Sequence, residues 1–152
     1  GTTFHIYFPQ VSREVVSDSA KGSETGGAHD EMVLVVEDQE EVRNMTSHML
    51  THLGYRVMEA ENAREALKIC DEFRGEIDVM VSDVVMPGMN GRELYLELQK
   101  TRPELQVLFV SGYPREIITD HGILEEGFNF LAKPILLDEL AVKLREIIGR
   151  RG

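Results

Sequence analysis

Short apolar runs and helical periods alternate along most of this chain. Residues 1–9 alternate in twos, with Phe4, Ile6 and Phe8 on one side and Thr3, His5 and Tyr7 on the other, as in a strand. Residues 10–30 break the pattern with Ser, Gly and charge and read as a flexible linker. A β-branched run then spans 32–36. Val42, Met45, Met49 and Leu53 recur at helical spacing, with Gly54 as the stop. Residues 55–60 form a second strand. Asn62 and Glu65 have the spacing of a helix cap, ahead of an apolar face of Ala63, Ala66, Leu67 and Cys70 that ends at Gly75.

The alternation continues to the end of the chain. Residues 77–82 predict a third strand, and 91–101 a helix carrying Leu94 and Leu98. Residues 106–111 predict a fourth strand, and a short helix begins near Pro114. Residues 128–132 predict a fifth strand, followed by an amphipathic helix through Leu137, Leu140, Leu144, Ile147 and Ile148. Its cap position holds Leu136, which has no side-chain oxygen to accept a bond. Strands that are apolar almost throughout and separated by helices imply a parallel sheet covered on both faces. The expectation is therefore α/β: a doubly wound, five-stranded parallel sheet, (βα)5. The domain boundaries expected are a leader at 1–9, a linker at 10–30 and one domain over 31–150.

In such a sheet, ligands bind beyond the carboxyl ends of the strands. Strand one runs into Glu37-Asp38, strand three into Asp83, strand four into Ser111 and strand five into Lys133-Pro134. All would meet at one rim. Three crowded carboxylates repel one another unless a cation lies among them. Oxygen ligands with room for water suit Mg²⁺. A cation, a lysine and a hydroxyl around one carboxylate are the groups that neutralise and align a transferring phosphoryl group, with Asp83 as its nucleophile.

At this point the segments VLVVEDQEEVR, DVMVSDVVMPGMNGREL, VLFVSGY and NFLAKPI resemble the receiver domain of response regulators, over about Met32 to Ile148. The resemblance implies a flavodoxin-like receiver fold with strand order 2-1-3-4-5. It implies that Asp83 accepts a phosphoryl group from phosphohistidine. It also implies that Glu37, Asp38 and Asp83, with the carbonyl of Val85, bind Mg²⁺. Ser111 would follow the phosphoryl oxygens on activation and Lys133 would pair with them. Phe130 stands at the place of a rotating aromatic switch, and a cis Lys133–Pro134 bond is expected. The leader GTTFHIYFP resembles the last glycine motif and final strand of a histidine kinase ATP-binding domain. That implies a piece of a hybrid sensor kinase. The leader itself is expected to have no sheet to join, and so to be disordered or to pair with another chain.

Composition narrows the partners. The 152 residues carry 27 acids against 16 bases, a net charge of −11, which disfavours nucleic acid and anionic membrane surfaces. The single cysteine, Cys70, excludes an internal disulfide and fits a reducing, cytoplasmic setting, although the parent kinase can be membrane-anchored. No apolar run reaches the roughly 18 residues of a membrane span, and the N-terminus has no secretion-signal pattern. The expected partner is the histidine kinase domain of the same chain or a histidine phosphotransfer protein. Self-association as a weak homodimer is left open. The chain ends at GRRG with no DNA-binding output region, so output is expected through protein contacts. The receiver would catalyse its own phosphorylation and dephosphorylation, while the ATP site is absent.

The same residues bear on rival readings. A flavin-phosphate binder needs a Ser/Thr/Gly loop after strand one, where this chain has EDQEEV. A dehalogenase-type phosphatase needs a second Asp two residues after the nucleophile, where this chain has Val85. The remaining rival is a receiver-like binding module that works without phosphorylation. His48 and His52 have the spacing of a zinc pair but no third ligand, and read as a solvated helix face. His29 lies in the linker and is discounted as a phosphoacceptor. Cys70 reads as inert core. Val85 cannot orient a hydrolytic water, so a long-lived phosphoryl group is expected.

Overall fold

The computed structural model describes residues 6–7, 30–120 and 128–151. The linker expectation over 10–30 falls almost wholly outside these residues, as does His29. The described elements, in order, are β1 (Ile6–Tyr7), β2 (Met32–Val36), α1 (Glu40–His52), β3 (Arg56–Ala60), α2 (Ala63–Glu72) and β4 (Val79–Asp83). They continue with α3 (Gly91–Gln99), β5 (Gln106–Ser111), α4 (Arg115–Asp120), β6 (Phe130–Ala132) and α5 (Leu137–Arg151). The sheet order is β1-β3-β2-β4-β5-β6. The five strands from β2 onward are parallel neighbours. Counted from β2, their order is the expected 2-1-3-4-5.

The leader corrects one expectation. Ile6 and Tyr7 do have a sheet to join: they pair antiparallel with Met58 and Val57 on the outer side of β3. The driving force is the open edge of β3, whose backbone N–H and C=O groups need partners wherever they are available.

The strands are apolar on both sides because both sides are covered. Alternate residues divide cleanly between two cores. Val33, Val35, Val57, Val79, Val81, Leu108 and Val110 face Leu50 of α1 and Leu140, Leu144 and Ile147 of α5. Leu34, Met58, Met80 and Phe109 face Ile69 of α2, Leu94 and Leu98 of α3 and Ile118 of α4. Each fully buried side chain of this size contributes roughly 1.5–3 kcal/mol by leaving water. A register slip of one residue would exchange the two cores and mismatch every volume.

Local chemistry explains the helix ends. Gly54 takes a left-handed φ of 101°, and the Tyr55 amide reaches back to the Leu50 carbonyl at 3.0 Å, closing α1. The end of α2 differs from expectation. Gly75 is not its stop; Phe73 is already extended. The Arg102 guanidinium takes the freed carbonyls of Cys70, Phe73 and Gly75 at 2.9, 2.7 and 3.0 Å. One planar fork with several donors replaces a glycine cap. The Asn62 cap is present as expected, its side chain accepting from Glu65 N at 2.7 Å. Gly91 opens α3 hard against the end of β4. A Cβ there would strike the Asp83 carbonyl oxygen and the Ser82 hydroxyl.

Candidate functional site

Parallel register brings the polar strand ends together. Val36 is level with Ser82, Asp83 with Val110, and Ser111 with Ala132. The residues that follow, Glu37 and Lys133, therefore emerge beside Asp83 on one rim. The Lys133 ammonium sits between two carboxylates, donating to Glu37 Oε2 at 2.9 Å and to Asp83 Oδ2 at 3.1 Å. Lys133–Pro134 is a cis bond, as expected.

Glu37 is buried and Asp38 is exposed. Carboxylate oxygens of Glu37, Asp38 and Asp83 all lie within 4.8 Å of one another, and they form the only such acidic, His or Cys cluster among the described residues. His48 and His52 belong to no such group there. Asp83 Oδ1 accepts from the Val85 amide at 3.2 Å, and Glu37 Oε1 from the Gln39 amide at 3.1 Å. Main-chain donors thus hold one oxygen of each buried carboxylate, and Lys133 holds the other.

Burial and the shared lysine set the electrostatics of the site. Burial raises the Glu37 carboxyl above its ordinary value; the Lys133 and Gln39 bonds oppose this, and the charge of Asp83 adds to it. Burial disfavours the Lys133 ammonium, yet Glu37 and Asp83 outweigh it and its proton is held more tightly than usual. The lysine stays cationic while two acids compete for it.

Ser111 ends β5, fully buried, and its Oγ accepts from the Tyr113 amide at 3.0 Å. Its own carbonyl accepts from Lys133 N at 2.9 Å, tying the β5 and β6 ends. Phe130 is level with Phe109 and half-buried against the core, so packing is part of its role. Val85 is 41 % exposed at the mouth, with Tyr113 and Leu136 also exposed beyond the neighbouring strand ends. Cys70 is buried, and its thiol is pushed up to about 11, chiefly by burial, as befits inert core.

Two residues at this rim were not singled out from the sequence. Arg43, in the first turn of α1, donates to the Glu37 carbonyl at 2.8 Å. Its Nε lies 4.0 Å from Oε1 of Glu59, a buried acid of β3. The available signal was an acid inside the apolar run 55–60, since a buried carboxylate requires a partner.

Residues 33–145 match the family described as response regulator receiver domain. The sensor kinase CckA of Brucella abortus (strain 2308) is 38 % identical over 161 aligned residues, covering 99 % of this chain and 17 % of that kinase. The crystal structure of the receiver domain from the hybrid histidine kinase CckA is 36 % identical with a TM-score of 0.65, covering 77 % of this chain and 98 % of that one. The Vibrio cholerae chemotaxis protein CheY4 is 30 % identical with a TM-score of 0.67, covering 78 % and 99 %. The chain spans about half or less of the curated relatives it matches. No helix among the described residues is long and apolar enough to cross a membrane.

Proposed function

The chain belongs to the response regulator receiver domain family of two-component signalling, and we propose that Asp83 is its phosphoacceptor, charged from a phosphohistidine. The observation that carries this reading is the Lys133 ammonium shared between Asp83 and Glu37 at the aligned strand ends. A lysine placed there neutralises phosphoryl oxygens as they arrive. Asp83 supplies the nucleophilic oxygen. Its P–O bond forms as the P–N bond to the donor imidazole breaks, and the imidazole leaves with the electron pair and takes a proton. The Val85 amide holds the non-attacking oxygen of Asp83. The Ser111 hydroxyl, freed from the Tyr113 amide, donates to a phosphoryl oxygen in the charged state. Phe130 follows Ser111 through the β5–β6 pairing, giving a two-state switch.

The donor set fits a hard divalent cation. It is all oxygen, and it gathers three carboxylates within 4.8 Å of one another. Glu37, Asp38, Asp83 and the Val85 carbonyl would hold Mg²⁺, which when bound neutralises charge on the transferring group.

The parent protein is a hybrid histidine kinase in this reading. Support comes from the Brucella sensor kinase, whose alignment covers 99 % of this chain, leader included, while seven other curated relatives cover 71–79 % of it. The donor or recipient is then the kinase domain of the same chain or a histidine phosphotransfer protein, in the cytoplasm.

Intact mass measurement after incubation with a small-molecule phosphodonor tests the site. One phosphoryl adduct that requires Mg²⁺ and is lost in Asp83→Asn is expected. No adduct in the unmodified protein, with no Mg²⁺ binding, would overturn the reading in favour of a phosphorylation-independent binding module.

A further inference from the structure

We infer that Arg43 is a positioning residue for the acidic corner Glu37–Asp38, anchored by Glu59 of the edge strand β3; this rests on the metal-binding reading proposed above. Four contacts fix Glu37. Its amide donates to the Ala60 carbonyl at 3.1 Å, and its two carboxylate oxygens are taken by Gln39 N and Lys133. Its own carbonyl is the fourth point, and the Arg43 guanidinium takes it at 2.8 Å. That carbonyl belongs to the peptide that leads into Asp38. Its orientation therefore sets where the exposed Asp38 side chain starts.

Arg43 is an unusual residue to find spent this way. It lies in the first turn of α1 and reaches back past the helix start, six residues, while its side chain is only 14 % exposed. Burying a guanidinium is unfavourable unless charge and hydrogen bonds compensate. Glu59 supplies the charge, at 4.0 Å from Arg43 Nε. Glu59 in turn is 6 % exposed, and among the described residues its Oε2 has no hydrogen-bond partner. A buried acid this poorly bonded is costly as a structural element alone. An apolar residue at position 59 would serve the fold better. The pair makes sense as a device that holds a guanidinium fork at the Glu37 carbonyl. Lysine is a poor replacement, because it lacks the planar fork whose separate nitrogens, Nη1 and Nε, face the carbonyl and the carboxylate.

The test compares Mg²⁺ binding by calorimetry, the Mg²⁺ half-saturation of phosphoryl adduct formation, and urea stability in metal-free buffer. The proteins are the unmodified chain, Arg43→Met, Arg43→Lys and Glu59→Gln. Loss of a group that orients metal ligands typically weakens metal affinity by about tenfold or more. Arg43→Met should raise both Mg²⁺ midpoints about tenfold, with the rate at saturating Mg²⁺ unchanged within about twofold. Arg43→Lys should recover little of this, and Glu59→Gln should shift in the same direction by less. If the unmodified protein binds Mg²⁺ and forms the adduct, but all three variants keep its midpoints while losing stability, Arg43 is merely structural and the inference is overturned. If Arg43→Met does not fold, Arg43→Lys and Glu59→Gln decide on the same midpoints. Absence of Mg²⁺ binding in the unmodified protein overturns the acceptor reading first, and this one with it.

Discussion

Replacing Lys133 by Met tests the electrostatic account of the site most directly. The substitution keeps the apolar stem that packs at the rim and removes only the charge. At an effective dielectric of about 20, ammonium–carboxylate attractions at 2.9 and 3.1 Å are each worth roughly 5–6 kcal/mol before desolvation. Desolvation cancels much of this. Removing one partner of a buried pair costs about 3–5 kcal/mol, and the 20 % exposure of the Lys133 side chain places this case at about 2–3 kcal/mol. The pH dependence has a definite sign. The raised Lys133 value means that its contribution is complete below its unfolded value and is lost only as pH rises through the folded one, so it is fully present at pH 7. Glu37 is also raised, and in the variant it rises further. A carboxyl of this kind stabilises the fold while protonated and ceases to do so as pH rises through its folded value. The deficit of Lys133→Met should therefore be larger at pH 7 than at pH 5, with the loss of the Asp83 contact common to both. Mg²⁺ should close most of it, and should bind the variant more tightly because the competing ammonium is gone. Urea unfolding at the two pH values, with and without Mg²⁺, reads all of this. A deficit independent of pH, or Mg²⁺ binding weakened by the substitution, would refute the picture of two acids competing for one cation.

Three further outcomes follow from particular contacts. Val85 is exposed beside Asp83 and offers no side-chain hydrogen bond; Val85→Asn should speed loss of phosphate from the adduct about tenfold, the scale of one oriented hydrogen bond worth roughly 1.4 kcal/mol, and an unchanged decay followed by mass would remove Val85 from the account of lifetime. Gly91→Ala places a methyl against the Asp83 carbonyl and the Ser82 hydroxyl; overpacking of this kind costs about 1–3 kcal/mol, and equal urea stability in the two proteins would contradict the close approach. Cys70 is raised from 9.0 to about 11, mainly by burial; its contribution is complete below the unfolded value and lost as pH rises through about 11, so the unmodified protein should lose more stability than Cys70→Ala across that window, and parallel pH curves would count against it.

The division between what the sequence made legible and what it did not follows the range of the interactions. Strand ends were legible because burial on two faces forces apolar runs, and a run that stops at a carboxylate marks the sheet rim. That is why the sequence groups Glu37, Asp83, Ser111 and Lys133 at one rim, and why parallel register brings these strand ends together. The Gly54 stop was legible because a left-handed residue is a local demand. Gly75 failed by the same logic. It does not take the left-handed φ of Gly54, and Arg102, from beyond α3, takes the carbonyls instead. The fate of Ile6–Tyr7 depended on whether an edge strand was open nearby, and that is a property of the finished sheet. Arg43 shows the limit most clearly. The acid at position 59 announces a requirement for a cation, but Arg43, Arg56, Arg64 and Lys68 all lie within a few turns or strand positions of it in sequence. Arg56 is drawn instead to the Asp30 carbonyl. Arg43 takes Glu59 because β2 and β3 are adjacent and parallel, which carries the start of α1 across to the β3 end. Once that adjacency exists, the same guanidinium lies within reach of the Glu37 carbonyl. The Arg43–Glu59 pair thereby also tethers the carbonyl at the Glu37–Asp38 corner.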